Sequence, residues 1–320
     1  MRQTTTIFLS ALLMILMAGC SEKGGFKKTK SGLAYKIISN GKGQQVKRGE
    51  LIKIHFSNKV HDSLLGTTYG SMPTYAQVDS IGPEYNPAEI FPLLRKGDSA
   101  VIVLEVDTLL KRNPGQLPPS FKPKDKMVLT IRVLEILPTR EAVQQDQMEE
   151  MAKQKQRDDV RKVDEVKAIQ EYLAKNNIKA QQTKNGVFYE IQNAGTGPQA
   201  DSGKIVSVNY TGYLMDGKFF DSNVDSNKQV NKHPLTPFEF MAGLQGAIPG
   251  MLEGVTVFKE GGKGRLFIPS VLGYGAQGSP PVIRPHENLI FEIEVTSVKD
   301  ASQQQQGMPQ IPAPQQPENK

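Results

Sequence analysis

Few residues of this chain have the types and spacing that metal-binding or catalytic chemistry requires. The 320 residues include one cysteine, Cys20, so neither an intrachain disulfide nor a cysteine-based zinc site can form. The four histidines, His55, His61, His233 and His286, are scattered and lack a metal-ligand spacing such as H-E-x-x-H. The sequence therefore predicts a protein without a bound metal or cofactor.

A carboxylate beside two aromatic rings is the most unusual polar feature. Asp221 follows Phe219 and Phe220, and a carboxylate is costly to bury without a partner. It is either a turn-capping residue on the surface or part of a functional site. Tyr210 and Tyr274 add hydroxyl groups, which need hydrogen-bond partners if they are buried.

An internal repeat organises the elements that must position these residues. Residues 29–43 resemble residues 183–197, and the strand pattern at 52–56 aligns with 206–210 at the same offset of 154 positions. Residues 129–133 match 291–295 at an offset of 162. Five anchor pairs share the first register: Gly32 and Gly186, Tyr35 and Tyr189, Gly41 and Gly195, Gly43 and Gly197, Gly49 and Gly203. We interpret this as two copies of one domain, a first copy at 30–137 and a second copy at 183–299, each with its own core.

The second copy has short predicted strands separated by glycine-rich turns. Residues 206–214 alternate toward an Asp-Gly turn at 215–218, which favours a hairpin. A short helix is predicted within 245–254, and residues 285–295 form a strong final strand. One short helix against many antiparallel strands indicates an α+β domain.

The motifs of the second copy resemble the FKBP-type peptidyl-prolyl cis-trans isomerase family. They are the Tyr-Thr-Gly at 210–212, the Phe-Asp-Ser at 220–222, AIPGMLEG at 247–254, GRLFIPSVLGYGAQG at 264–278 and NLIFEIEV at 288–295. The resemblance covers about 117 residues in the family's order. It implies an antiparallel half-barrel of five or six strands wrapped around one short helix, with an apolar, aromatic-lined active site between them.

The resemblance also implies which residues form that site. The expected catalytic residues are Tyr210, Phe220, Asp221, Tyr274 and Phe291. The expected substrate-binding residues are Phe238, Ala247, Ile248, Met251 and Ile283. Without the family pattern, the three phenylalanines would be read as ordinary core residues.

Such a site needs no nucleophile, metal or strong base. Rotation about an X–Pro bond is slow because amide resonance gives the C–N bond partial double-bond character. An apolar cavity removes the water that stabilises the polar resonance form, so the twisted amide becomes relatively favoured. The family implies that the backbone N–H at Ile248 and the hydroxyl of Tyr274 hold substrate carbonyl groups.

Three features depart from the family pattern. Met251 occupies the pocket floor, where tryptophan or leucine is common, and its flexible side chain predicts a broader range of substrates. Ser279 replaces a bulkier residue. The stretch 222–237 is longer than the compact family form and is expected to bulge beside the site.

The first copy has the same strand pattern but lacks the expected site residues of the second copy. Phe56 stands in place of Tyr210, no Phe-Asp pair follows the hairpin, and no Tyr-Gly loop corresponds to 274–275. We therefore expect a binding or scaffolding module without isomerase activity.

A linker at 138–182 is predicted to contain one long helix. Thr139 is a suitable N-cap, and neither glycine nor proline interrupts residues 140–175, which would extend about 54 Å. Val160, Val163, Val166, Ile169 and Leu173 form a narrow apolar stripe. The stripe indicates either a dimerisation arm or rigid spacer within 140–177, or a connector that packs on its own neighbouring domain.

The chain ends carry a targeting signal and a low-complexity tail. Arg2 precedes an apolar run at 7–17, too short for a membrane-spanning helix, and residues 17–20 resemble a bacterial lipobox. We expect a signal peptide at 1–19, lipidation of Cys20 and a polar tether at 20–29; an ordinary signal peptide cut near Gly19 is the alternative. The Gln- and Pro-rich residues 300–320 predict a disordered tail.

The distribution of charged residues argues against one further class of function, nucleic-acid binding. The 39 basic and 33 acidic residues are interleaved, which argues against a nucleic-acid surface. The expected function is isomerisation of proline-containing polypeptides that fold outside the cytoplasm, by a lipoprotein anchored in the bacterial envelope, with Ser21 favouring the outer membrane. A non-enzymatic chaperone or interaction lipoprotein that uses both pockets is the alternative.

Overall fold

A computed structural model describes residues 25–39, 41–61, 63–79, 84–112, 121–230, 232–280 and 282–301. The predicted signal peptide, the Cys20 lipidation site and the tail beyond residue 301 lie outside the described residues. Within the described ranges, no helix is long and apolar enough to cross a bilayer.

The first copy is a seven-stranded antiparallel sheet that curves around a short helix. Its strand order is β1-β2-β6-β7-β3-β4, and β5 pairs with β3. Ile90 and Phe91 of a 3₁₀ helix at Pro87–Leu93 are buried against the sheet, and Asn86 and Glu89 close a capping box at its start. The elements are β1 (Lys27–Lys28), β2 (Ala34–Ile38), β3 (Leu51–Val60), β4 (Ser63–Thr67), β5 (Thr74–Gln77), β6 (Ser99–Glu105), α1 (Val106–Arg112) and β7 (Lys126–Leu137).

The long helix α2 spans Arg140–Lys175, with the Thr139 hydroxyl accepting a hydrogen bond from Ala142 N–H at its start. Its first turns contact the first copy through a charged cluster. Lys53 on β3 lies 2.8 Å from Asp146 and 3.1 Å from Glu150. The N-terminal end of α2 therefore packs on the sheet of the first copy.

The apolar stripe of α2 divides into two parts. Ile169 and Leu173 are buried in a cluster with side chains of the second copy, among them Phe267, so this part packs on its own neighbouring domain. Val160 and Val163 are 64% and 69% exposed. Of the two alternatives that the sequence left open, packing on the neighbouring domain therefore holds for the C-terminal part of the stripe, because the tertiary contact decides which turns of the helix are covered.

The second copy repeats the topology of the first strand for strand. Its order is β11-β10-β14-β13-β9-β8, with β12 paired to β10. Three further 3₁₀ turns lie at Ser226–Lys228, Val255–Val257 and Ser270–Leu272. The elements are β8 (Gln181–Gln182), β9 (Phe188–Asn193), β10 (Ile205–Leu214), β11 (Phe219–Ser222), β12 (Phe238–Met241), α3 (Pro249–Gly254), β13 (Lys263–Ile268) and β14 (Leu289–Lys299).

These observations confirm the predicted α+β class, two half-barrels joined by a long helix. Each sheet has seven strands rather than five or six, since a two-residue strand extends one edge. Strand β1 lies in the stretch predicted as tether, and β8 in the stretch predicted as linker. The short helix of the first copy is a 3₁₀ helix rather than an α-helix.

Candidate active site

A cavity of about 250 Å³ lies between the sheet of the second copy and α3. It contains nine of the ten expected site residues, and Gly246 adds backbone to its rim. The lining residues are Tyr210, Phe220, Asp221, Phe238, Gly246, Ala247, Ile248, Met251, Tyr274 and Phe291. Ile283, the tenth, lines an adjoining cavity of about 110 Å³ that shares Phe220, Asp221 and Tyr274 with the first.

The β10–β11 hairpin positions the aromatic wall. Its Asp-Gly turn has Gly217 at φ +85°, and the register shifts between Gly212 and Tyr213. Phe220 packs edge-on to Phe291, with ring centroids 5.4 Å apart. A Cβ at Gly212 would lie 2.4 Å from the Phe220 ring, so this ring position requires glycine beneath it.

Tyr210 connects the aromatic wall to the carboxylate. Its ring contacts Phe238 and Phe291 at centroid distances of 6.1 and 5.9 Å. Its hydroxyl donates to Asp221 Oδ2 at 2.5 Å, so the polar tips of both side chains are paired. Burial, followed by the hydrogen bond to Asp221, raises the pKa of Tyr210 well above its usual range.

The start of α3 presents a free backbone donor at the floor. Ile248 is the extended N-cap residue, and Pro249 occupies the first helical position. No described residue accepts a hydrogen bond from the N–H of Ile248. Met251, 3% exposed, forms the apolar floor beside it.

Tyr274 stands opposite, on the connection between β13 and β14 that we call the flap segment (residues 269–288). The residue is 37% exposed, and its hydroxyl donates to none of the described residues. Burial, followed by the nearby charge of Asp221, raises the pKa of Tyr274. The site therefore offers two donors that have no acceptor among the described residues, the Tyr274 hydroxyl and the Ile248 N–H.

A contact from α2 anchors the flap segment. Glu165 is 7% exposed and accepts from Ser270 Oγ at 2.5 Å and from Val271 N–H at 3.1 Å. Burial raises the pKa of Glu165 even though these hydrogen bonds and Arg161 oppose the shift. No sequence pattern indicates this role, because a glutamate on a charged helix resembles any other solvent-exposed glutamate.

The stretch 222–237, which departs from the family pattern by its greater length, lies beside the site as expected. We call residues 223–237 the insert. His233 in the insert lies with Nε2 2.8 Å from Asp221 Oδ1, and Val230 lines the smaller cavity. His233 was not among the predicted site residues. The available signal was its position in an extra segment directly after Asp221.

The corresponding positions of the first copy carry different side chains. Strands β3, β4 and β7 pair in the register of β10, β11 and β14. In that register, Phe56, Leu65, Gly66 and Leu129 occupy the positions of Tyr210, Phe220, Asp221 and Phe291. Helix α1 follows β6, whereas the flap segment follows β13. The described residues of the first copy thus include neither the carboxylate–tyrosine pair nor a tyrosine flap.

The chemistry available at the site is that of an apolar cavity with a few directed polar groups. Among the residues that the structure describes, no group of three or more histidines, cysteines or carboxylates could hold a metal ion. The cavity can enclose an apolar ring and offer two hydrogen-bond donors to carbonyl groups. That arrangement suits rotation about a peptide bond better than bond cleavage.

Known proteins agree with this class of site. A family model described as FKBP-type peptidyl-prolyl cis-trans isomerase matches residues 197–296. An FK506-binding protein of Neisseria meningitidis serogroup B is 43% identical over 113 residues, 35% of this chain and 96% of that protein. The chain belongs to the FKBP-type peptidyl-prolyl cis-trans isomerase family, and its enzyme class is peptidyl-prolyl cis-trans isomerase.

Other relatives are longer than the matched region. The FKBP-type isomerase FkpA of Aeromonas hydrophila is 36% identical over 139 residues, 43% of this chain and 48% of that protein. FK506-binding protein 4 of Dictyostelium discoideum is 43% identical over 113 residues, and the match spans 28% of its length. The solved structure of FkpA from Escherichia coli shares 30% identity and covers 51% of this chain and 74% of that one, with a TM-score of 0.36.

Proposed function

We propose that the second copy, 183–299, is the catalytic domain and that it isomerises X–Pro bonds in polypeptides that fold outside the cytoplasm. The observation that carries this proposal is one cavity that brings together the aromatic wall, the Tyr210–Asp221 pair and two donors that have no acceptor among the described residues. No comparable set exists in the described part of the first copy.

The cavity would act by stabilising a twisted amide. A proline ring on Met251, surrounded by Phe238 and Phe291, displaces water from the peptide bond. Loss of that water disfavours the polar resonance form, and the barrier of about 18–20 kcal/mol falls. A reduction of about 5–7 kcal/mol corresponds to roughly 10⁴–10⁵-fold acceleration.

The two donors would fix the substrate on either side of the rotating bond. The N–H of Ile248 binds one substrate carbonyl at the floor, and the hydroxyl of Tyr274 binds another from the flap segment. Asp221 and Tyr210 line the wall past which the prolyl carbonyl turns. Their mutual hydrogen bond leaves no unpaired polar tip in the path of the turning group.

Variants of the wall test the assignment in the full chain. Phe220→Ala admits water and Asp221→Ala removes the polar contact, so each is expected to lower kcat/KM by about 10- to 100-fold, roughly 1.4–3 kcal/mol. Phe219→Ala is the matched control, because its ring is adjacent in sequence but 44% exposed. Undiminished activity in both wall variants would overturn the assignment.

The first copy is proposed to bind polypeptide without catalysis. It retains a complete buried core, while Gly66 and Phe56 replace the carboxylate and the hydroxyl of the site. This observation favours an added chaperone role. In an aggregation assay with an unfolded client, Phe220→Ala in the full chain should lose isomerase activity and still suppress aggregation; loss of both would place client binding in the second copy.

The chain is proposed to be lipid-anchored at Cys20 in the bacterial envelope, in the outer membrane by the identity of Ser21. Apolar residues at 7–17, followed by small residues before the chain's one cysteine, support this proposal. No nucleic-acid partner is proposed.

A homodimer through α2 is a further proposal, now restricted to the exposed part of the stripe. Val160 and Val163 are the stripe residues left uncovered by the second copy. Replacing both with glutamate should convert a dimer to a monomer by light scattering. A wild-type protein that is monomeric at high concentration would refute it. Deleting the helix is a poor test, because it would expose Phe267 and Ile290.

A further inference from the structure

The insert is folded back onto the active site by one buried amide. Gln229 is 6% exposed, and its Nε2 donates to the carbonyl of Ser222 at 2.8 Å and to the carbonyl of His233 at 3.1 Å. The insert begins with a 3₁₀ turn at Ser226–Lys228 that Asp225 caps. These contacts fix the backbone of His233 beside β11.

The ring of His233 is placed between two hydrogen-bond acceptors. Nε2 lies 2.8 Å from Asp221 Oδ1, and Nδ1 lies 3.0 Å from the carbonyl oxygen of Pro234. A carboxylate and a carbonyl can only accept, so both ring nitrogens must carry hydrogen for both bonds to form. The imidazolium satisfies both partners, whereas the neutral ring satisfies one.

Other polar groups near the ring do not remove this requirement. The Gln229 amide is 3.3–3.4 Å from the ring nitrogens, but both its hydrogens have carbonyl acceptors. Lys232 donates to the carbonyl of Ser226. Lys228 lies over the ring of Tyr213, and Asp225 accepts from Asn227 N–H. Tyr210 donates to the other oxygen of Asp221, and Tyr274 lines the smaller cavity together with His233. Asp221 is therefore the charged group that His233 directly faces.

Asp221 is held by one partner on each oxygen. Oδ2 accepts from Tyr210 and Oδ1 from His233. The neutral ring offers Asp221 at most a neutral hydrogen bond, which is weaker than that of the imidazolium. The carboxylate is then held less firmly against Tyr210, and its charge draws water to the cavity wall. Water there opposes catalysis by desolvation.

We propose that His233 is a positioning residue for prolyl isomerisation in the second copy, and that its imidazolium form holds Asp221 and Tyr210 in the competent arrangement. This inference rests on the proposed function of the second copy. The hydrogen bond with Asp221 is the main cause that raises the pKa of His233 above its ordinary 6.5, against the opposing effect of burial. The competent form therefore persists toward neutral pH and is lost as pH rises through the raised pKa.

The test measures kcat/KM of the full chain across the neutral range, with three variants. Wild type should lose about three- to tenfold as His233 deprotonates. His233→Gln should be flat near the lower level, because one neutral donor remains. His233→Arg should be flat near the upper level, because its charge does not titrate in this range.

Phe220→Ala distinguishes a failure of the role of His233 from a failure of the catalytic assignment. If Phe220→Ala is inactive while wild type and His233→Gln share one activity and one pH profile, the role of His233 is wrong and the catalytic assignment stands. If Phe220→Ala and Asp221→Ala are both fully active, the catalytic assignment itself is wrong. A flat wild-type profile overturns the role of His233 without any variant.

Discussion

The contact between α2 and the flap segment gives the sharpest prediction, the substitution Glu165→Ala. The Glu165 carboxylate accepts hydrogen bonds from Ser270 Oγ and from Val271 N–H, and both residues lie at the start of the segment that carries Tyr274. The carbonyl of Ser270 in turn accepts from Gly275 N–H at 2.8 Å. Removing the carboxylate therefore releases the loop on which the Tyr274 hydroxyl depends.

The loss of hydrogen bonds and the relief of carboxylate burial have opposite effects on the free energy of unfolding of Glu165→Ala. Each hydrogen bond to a charged group contributes about 1.5–3 kcal/mol, and the substitution leaves a buried hydroxyl and a backbone N–H without their acceptor. Burial of the carboxylate offsets part of this, as the raised pKa of Glu165 indicates. A net loss of about 1–3 kcal/mol in the free energy of unfolding is expected. Displacing Tyr274 by about 1 Å should lower kcat/KM by roughly tenfold.

The assay combines isomerase kinetics and denaturant unfolding of the full chain. Glu171→Ala is the matched control, an exposed glutamate on the same helix. If Glu165→Ala equals the control in both measurements, the anchor is not functional. If Glu165→Ala loses stability but keeps full kcat/KM, Glu165 stabilises the contact between α2 and the flap segment without positioning Tyr274. The proposed link between this contact and catalysis is then wrong.

Three further predictions concern other parts of the chain. Gly212→Ala places a Cβ 2.4 Å from the Phe220 ring and should cost about 1–3 kcal/mol of unfolding free energy together with activity, measured by denaturation and kinetics. Because the folded-state pKa of His233 is raised, its stabilising contribution is complete below 6.5 and lost as pH rises through the folded value; the difference in unfolding free energy between wild type and His233→Gln should shrink over that rise. Cys20→Ser should abolish fatty-acid labelling and membrane fractionation, and retention of both would refute the lipobox.

Local patterns in the sequence predicted the elements well, because their causes are local. The bounds of α2 follow from the Thr139 cap and from the absence of glycine and proline, and the hairpin follows from the Asp-Gly turn at 216–217. The repeat and the family motifs predicted a cavity between sheet and helix, and nine of the ten expected site residues line it.

The missed features are contacts between segments that no local pattern encodes. Glu165 and Ser270 are 105 positions apart, and either residue alone reads as an ordinary polar side chain. The contact between His233 and Asp221 depends on the path of the insert, which Gln229 fixes through the backbone. The coverage of Ile169 but not Val163 depends on where the second copy packs, so periodicity alone left two alternatives open.

In the two copies, the glycine and the larger side chain lie on opposite strands of the pair that forms the site. In the second copy, Gly212 leaves room for the Phe220 ring. In the first, Asn58 occupies the position of Gly212 and pairs with Gly66, and a Cβ at Gly66 would lie 2.9 Å from Asn58 Oδ1. To form the aromatic wall in the first copy, β3 would need a small residue in place of Asn58. To form the carboxylate, β4 would need an acidic side chain in place of Gly66. A single substitution therefore cannot restore the site. The register is the same in both copies because backbone pairing and the buried core maintain it, while the side chains at the site differ.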